Sequence, residues 1–141
     1  MDVKEFVDTV VIPLHPFHLS EETSIAKDAF QLDVLERYAA EIEKKLSGRV
    51  LLAPTYLYLK KSNAEQEVER LNAWVNDMKE QPFTSVYFFT FDSTWKKAEQ
   101  ELSGHLLWFP GMKTGDLKNP ETTKFIRTQA EEISELIRAE W

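Results

Sequence analysis

Short apolar runs alternate with longer amphipathic stretches along the chain. The apolar runs lie at residues 9–14 (TVVIPL), 50–54 (VLLAP), 85–91 (SVYFFTF) and 106–109 (LLWF), and the second could continue through the TYLYL that follows it. Runs of this length, rich in β-branched and aromatic residues, predict buried strands. In SVYFFTF both alternating sets of side chains are largely apolar, which is typical of a central strand covered on both faces. Pro13 lacks an N–H, so we expect it near a strand end or on a sheet edge.

Between and after these runs, apolar residues recur every three or four positions, which predicts amphipathic helices. The three stripes are Leu32, Leu35, Ala39, Ile42 and Leu46; Val68, Leu71, Val75 and Met78; and Ile126, Ala130, Ile133 and Ile137. Start signals agree with two of them: Ser62 and Glu65 have capping-box spacing, and Asn119 precedes Pro120 as an N-cap precedes a first helical residue. A shorter helix is predicted between the third and fourth strands, ending at Gly104.

The predicted order is therefore strand–helix repeated four times, with no internal repeat and no linker. We expect a single α/β domain over residues 1–141. Such alternation predicts a mostly parallel sheet with helices on both faces, a small three-layer sandwich. Right-handed crossovers favour the flavodoxin-like strand order 2-1-3-4.

Charge and composition exclude several classes of function. The net charge is −7, and no basic stripe is present, so neither nucleic acid nor an anionic membrane surface is an expected partner. The chain has no cysteine, which excludes disulfides, thiolate catalysis and iron–sulfur clusters and fits a reducing compartment. We see no signal peptide, and no apolar run approaches the roughly 20 residues of a membrane helix. A cytoplasmic protein is expected.

In open α/β sheets, ligands bind beyond the carboxyl ends of the strands, where the strand order reverses. The order 2-1-3-4 puts that point between the first and third strands. We therefore predict a ligand-binding crevice formed by residues that follow the strands: His15, His18, Thr55, Tyr56, Asp92, Ser93, Thr94 and Lys113. His105 begins the fourth strand and is expected at the opposite end of the sheet.

Two groups within this crevice have more than one chemical interpretation. His15 and His18 could form part of a metal site with Asp92 as an oxygen ligand, or simply a polar mouth at the strand end. Ser93 and Thr94, with Asp92, could hold a phosphate or support a general base, but such clusters more often cap a helix. Neither a glycine-rich phosphate loop nor a GxSxG elbow occurs, and we expect no cofactor.

Several segments together carry a resemblance. KEFVDTVVIPL, SGRVLLAPTYLYL, SVYFFTFDSTWK and GHLLWFPG resemble the YpiF-type uncharacterised family of Bacillus-like bacteria, over essentially the whole chain. The resemblance implies a cytoplasmic protein of a spore-forming lineage. Because the family has no known function, it implies no activity, cofactor or catalytic residue.

Three hypotheses remain. The first is a non-catalytic binding or regulatory module that presents the crevice to an unknown protein or small-molecule partner. The alternative is a small metal-assisted or acid–base hydrolase using His15, His18 and Asp92. The third is a structural subunit that needs a partner, with the homo-oligomer as one version, whose interface would use the exposed apolar faces of Trp74 or Trp141.

Overall fold

A parallel β-sheet forms the middle layer of the fold. The computed structural model describes residues 7–17, 22–46, 48–59, 63–78, 83, 85–111 and 118–141. The strands are β1 (Thr9–Phe17), β2 (Val50–Leu52), β3 (Tyr56–Leu59), β4 (Ser85–Thr90) and β5 (His105–Trp108). The helices are α1 (Glu22–Lys45), α2 (Ala64–Met78) and α3 (Pro120–Ala139), with a 3₁₀-helix (Ser93–Glu101) between β4 and β5.

The strand pairing confirms the predicted class and order. β1 is central: it pairs with β4 on one side and with both β2 and β3 on the other, and β5 lies outside β4. All pairs are parallel. The sheet has five strands rather than the four predicted, because the second predicted strand is divided into β2 and β3 along one edge of β1.

The division follows from Pro13, which lies within the central strand, so the prediction of a strand-end or edge position was wrong. Val11 pairs with Leu52, and Leu14 pairs with Tyr56. Two residues of β1 therefore lie opposite three residues, 53–55, between β2 and β3. In a parallel sheet, alternate residues of a strand form hydrogen bonds with the strands on its two sides. Val11 bonds toward β2 and β3, because its carbonyl accepts from the Ala53 N–H. Pro13 lies two residues after Val11 and faces the same side. Its missing N–H therefore falls at the break between β2 and β3, where the sheet needs no hydrogen bond from it.

The extra edge residue is a β-bulge, and it changes which face the following side chains occupy. A shift of one residue moves every later side chain to the other face of a sheet. Val50 accordingly packs with α1 and α3, whereas Tyr56 and Tyr58 pack on the α2 side. The bulge therefore places two tyrosines in the α2 layer.

Each sheet face has its own core. On one face, buried strand residues pack against α2 and the 3₁₀-helix: Val10, Ile12, Leu14 and Phe88 with Val68, Leu71, Val75, Trp95 and Ala98. On the other, they pack against α1 and α3: Val11, Tyr87 and Phe89 with Leu35, Ile42, Ile126, Ile133 and Ile137. Alternating β1 residues supply both cores, as expected for a central strand.

Helix starts follow the predicted chemistry in part. Asn119 caps α3, and its side chain accepts from the Glu121 N–H. At α2, Asn63 Oδ1 accepts from the Glu65 N–H at 2.9 Å, so this neighbouring asparagine acts as the cap. The predicted cap, Ser62, lies outside the described residues.

Trp74 and Trp141, the two tryptophans of the third hypothesis, both contact other side chains of the protein. Trp74 is partly buried and meets the ring of Tyr56 edge-on, with centroids 5.2 Å apart. Trp141 lies at the amino end of β1, where its Nε1 donates to Thr9 Oγ1 at 3.1 Å and the Arg49 guanidinium stacks 3.7 Å above its ring. Trp141 thus joins the chain end to the sheet.

Candidate functional site

The carboxyl ends of β1 and β4 meet at one edge of the sheet. The strands run parallel in register from Thr9–Ser85 to Leu14–Thr90. From β1 the order continues to β2 and β3 on one side and to β4 on the other, so this edge is the predicted switch point.

A cavity of about 280 Å³ opens at this switch point. We call it the carboxyl-edge crevice. Its polar lining consists of His15 from β1, Asp28 and Gln31 from α1, and Asp92 and Ser93 after β4. Apolar residues of β1 and of the segments that follow β4 and β5 complete the lining: Leu14, Pro16, Phe91 and Pro110. No lysine or arginine is among its described lining residues.

His15 is the most unusual of these residues. Its side chain lies on the α1 face and is only 5% exposed. No other described group makes a hydrogen bond to its Nε2. Burial lowers the pKa of His15 below its usual value, while the charges of Asp28 and Asp92 and the backbone of Asp28 act in the opposite direction. The ring is therefore neutral at pH 7, with one donor and one acceptor nitrogen.

Asp92 is held in place by four hydrogen bonds. Its Oδ1 accepts from the Thr94 N–H (3.0 Å) and hydroxyl (2.9 Å), which makes it the N-cap of the 3₁₀-helix, as predicted. Its Oδ2 accepts from the Tyr58 hydroxyl at 2.6 Å, and Tyr58 in turn accepts from Trp95 Nε1 at 2.7 Å. Its own N–H donates to Thr90 Oγ1 at 3.0 Å. Burial and this carboxylate raise the pKa of Tyr58 well above its usual value.

Thr90 connects β4 to β1 at the last pair between these strands, Leu14–Thr90. Its hydroxyl donates to the Leu14 carbonyl at 3.0 Å while accepting from the Asp92 N–H. Since Thr90 is completely buried, these bonds are shielded from water and fix the spacing of the two strand exits. The positions of Leu14 and Asp92, which both line the crevice, are therefore fixed relative to each other.

A second, smaller cavity of about 80 Å³ lies on the α2 side of Asp92. Glu67 of α2 lines it and is 3% exposed, and its carboxylate accepts from the Tyr56 hydroxyl and from Arg70 Nη1 (2.8 Å). Burial and Glu67 raise the pKa of Tyr56 to about 12. This buried carboxylate was not predicted, although its spacing of four from Leu71 places it on the apolar stripe.

The structure gathers three of the predicted residues into one cavity: His15, Asp92 and Ser93 all line the carboxyl-edge crevice. Thr94 lies in the first turn of the 3₁₀-helix, donates to its cap Asp92, and lines the smaller cavity instead. His18 and Lys113 lie outside the described residues.

The two predicted crevice residues at the edge of the sheet, Thr55 and Tyr56, do not line the carboxyl-edge crevice. Tyr56 is buried in the α2-side core. Thr55 lies at the bulge, where it lines a separate surface concavity and its hydroxyl donates to Glu36 at 3.4 Å. His105, as predicted, begins β5 at the amino end of the sheet, stacked on Tyr87 with ring centroids 5.1 Å apart.

Asp28 and Gln31 were not predicted. They come from the first turns of α1, a helix that begins shortly after β1 ends, so its start shares the carboxyl edge with the strand exits. The signal was their spacing: Asp28 lies four residues before Leu32 and Gln31 four before Leu35, so both extend the face of the predicted stripe toward the start of the helix.

Two features are absent from the described residues, a cluster of metal ligands and a membrane-spanning helix. No group of three histidine, aspartate or glutamate side chains in the described ranges is placed to hold a metal ion. Likewise, none of the described helices has the length and apolar character needed to cross a membrane.

Comparison with known proteins gives a family. The family model described as Protein of unknown function (DUF2487) matches residues 1–141. The chain belongs to the DUF2487 family. It is also similar to the uncharacterized protein YpiF of Bacillus subtilis (strain 168), with 26% identity over 144 residues that cover 100% of the chain and 90% of YpiF. No solved structure matches the chain significantly.

Membership of DUF2487 confirms the resemblance carried by the strand segments. The family description assigns no activity, so any function for this DUF2487 protein has to be argued from the geometry of its own residues.

Proposed function

We propose that this DUF2487 protein is a cytoplasmic, non-catalytic binding or regulatory module that takes a small ligand in the carboxyl-edge crevice. The observation that carries the proposal is His15, a buried histidine that lines the cavity and whose Nε2 has no partner among the described groups. Buried polar atoms are nearly always hydrogen-bonded, and leaving one unsatisfied costs about 1–3 kcal/mol. A ligand that supplies the missing partner offsets this cost.

The surrounding structure supports binding rather than simple burial. The crevice lies at the switch point of a parallel sheet, where ligands of such folds bind. Asp92, which lines the crevice, is fixed by hydrogen bonds to Tyr58, Thr90 and Thr94, so this part of the lining is rigid before a ligand arrives. Preorganisation of this kind lowers the entropy that binding must overcome.

A fragment screen with a blocking variant tests the proposal. Ser93 is exposed and lines the crevice, so Ser93→Phe should fill it without disturbing a buried contact. Thr55→Phe is the matched control, because Thr55 lines the separate concavity at the bulge. We expect small fragments to raise the Tm of the wild type and of Thr55→Phe but not of Ser93→Phe.

Two results would contradict the proposal. One is a screen in which no fragment raises the Tm, or in which Ser93→Phe responds like the wild type. The other concerns the word non-catalytic: turnover of a hydrolysable ester or phosphate that is lost in a folded Asp92→Ala variant would favour the hydrolase alternative.

The cytoplasmic location is part of the same proposal. It is supported by a chain without cysteine, which fits a reducing compartment. Fractionation of cells that express the protein, followed by immunodetection, tests it, and recovery outside the cytoplasmic fraction would contradict it.

A further inference from the structure

The ring proton of His15 can be assigned to one nitrogen. The ring makes a hydrogen bond to the backbone of Asp28. Burial lowers the pKa of His15 and is the largest influence on it, whereas this hydrogen bond acts to raise it. Only an accepting group favours the protonated ring, so the partner is the Asp28 carbonyl. Because Nε2 bonds to no described group, the nitrogen that donates to this carbonyl is Nδ1.

The neutral ring therefore carries a lone pair at Nε2, which can accept a hydrogen bond and cannot donate one. No group in the described part of the chain donates to it, and the His15 side chain lines the carboxyl-edge crevice. Resting on the proposed function, we infer that the ligand of this crevice presents an uncharged O–H or N–H donor, such as a hydroxyl or an amide, to Nε2 of His15.

The surroundings of His15 favour an uncharged donor over an ion. His15 is buried, and a charged group brought to this depth loses its hydration and needs a counter-charge in contact with it. Both oxygens of Asp92 are already engaged, by Tyr58 and Thr94. An anion would face the Nε2 lone pair, with no lysine or arginine among the described lining residues to bind it. A hydroxyl or an amide needs no counter-charge, because its hydrogen bond to Nε2 replaces the one that it gives up to water.

The rest of the lining indicates a compact apolar body for the ligand. Leu14, Pro16, Phe91 and Pro110 line the same cavity. A small ring or short carbon chain bound against them removes apolar surface from water on both sides, which favours binding. The expected ligand class is therefore small phenols, alcohols and amides.

Probes of nearly one shape separate this class from others. Phenol presents a hydroxyl donor near neutral pH, fluorobenzene has in its place a fluorine that cannot donate, and benzylamine and benzoate carry a cation and an anion. NMR titration of the full chain near neutral pH measures each affinity. Phenol should bind at least about fivefold more tightly than fluorobenzene, because fluorobenzene leaves the buried Nε2 without a partner. Benzylamine and benzoate should both bind more weakly than phenol.

A variant locates the acceptor. His15→Phe removes Nε2 and keeps a ring of similar shape, so the affinities of phenol and fluorobenzene should come within about twofold of each other. His105→Phe is the matched control: His105 begins β5 at the amino end of the sheet, and this variant should keep the wild-type preference for phenol. A purely structural role of His15 would change both affinities together and leave their ratio as it is.

A measurement on the wild type alone tests the same inference without a variant. Long-range ¹H–¹⁵N correlation of the His15 ring near neutral pH should show a protonated Nδ1 and an unprotonated Nε2. Addition of phenol should shift the resonance of Nε2 more than that of Nδ1. A protonated Nε2 would overturn the inference, since that nitrogen could not accept a hydrogen bond from a ligand.

The outcomes separate this inference from the proposed function. If fluorobenzene, benzylamine or benzoate binds at the crevice as tightly as phenol, the donor class is wrong and the binding function stands. If other fragments bind there and none that carries a hydroxyl or an amide loses affinity in His15→Phe, the inference alone fails. If no fragment of any class binds, both fail.

Discussion

Replacing His15 by phenylalanine should stabilise the folded protein. The side chain is 5% exposed, and its Nε2 makes no hydrogen bond to any described group. Removing a buried unsatisfied polar atom recovers about 1–3 kcal/mol. The larger phenyl ring has room, because the 280 Å³ crevice adjoins it, so little overpacking is expected. We therefore expect the free energy of unfolding to rise by about 1–2 kcal/mol at neutral pH.

The gain should grow as the pH falls. Burial lowers the pKa of folded His15 below 6.5, outweighing the charges of Asp28 and Asp92. On acidification the unfolded chain therefore takes up a proton at His15 first, and the wild type loses stability between the unfolded and the folded pKa. This loss amounts to at most about 1.4 kcal/mol per pH unit. Phenylalanine cannot titrate, so the His15→Phe variant does not lose stability in this way. Above the pKa of His15 in the unfolded chain, the difference in the free energy of unfolding between variant and wild type is constant.

Urea unfolding followed by circular dichroism, at about pH 7.5 and about pH 5.5, measures both effects. His105→Phe is the control, because His105 is an exposed residue at the amino end of the sheet, and we expect a change within about 0.5 kcal/mol. If His15→Phe instead loses more than about 1 kcal/mol at both pH values, Nε2 is satisfied in the folded protein and the reasoning is refuted.

Two further predictions concern the framework around the crevice. Tyr58→Phe leaves Trp95 Nε1 without its acceptor and should lower the free energy of unfolding by about 1–3 kcal/mol in urea titrations; an unchanged value would contradict the Tyr58 network. Gly104→Ala should cost about 2–3 kcal/mol, because a Cβ there would lie 2.7 Å from Phe88 and 2.8 Å from a backbone carbonyl. Gly48→Ala, with φ +90° and nothing within 4 Å, should cost only about 1–2 kcal/mol of backbone strain, and equal Tm losses would contradict the packing argument.

The sequence was sufficient for the sheet because its strands are unambiguous. SVYFFTF is apolar on both faces and does become β4, paired on both sides. The crossover rule then left one natural order, which the structure has. The edge strand was harder to predict, because the effect of Pro13 depends on which neighbour its missing N–H faces. Which neighbour it faces is decided by the pairing of strands across the sheet. The bulge, and the placement of Tyr56 and Tyr58 that results from it, could therefore not be predicted from the local sequence pattern.

Only the residues of the candidate site that the strands position could be predicted from the sequence. His15 and Asp92 follow from the switch-point rule, because each lies just beyond Leu14–Thr90, the last pair between β1 and β4. Asp28 joins them through the packing of α1 over β1, and Glu67 pairs with Tyr56 only because the bulge turns that tyrosine toward α2. Both depend on tertiary placement, which periodicity alone does not specify.

The central claim is that His15 is a ligand-binding residue rather than a buried structural one. Its most direct test is a long-range ¹H–¹⁵N NMR correlation of the histidine rings during titration with each fragment that raises the Tm. The account predicts that the His15 ring nitrogens shift in a saturable manner while those of His105 stay unchanged. Saturable binding that leaves the His15 nitrogens unmoved would contradict it.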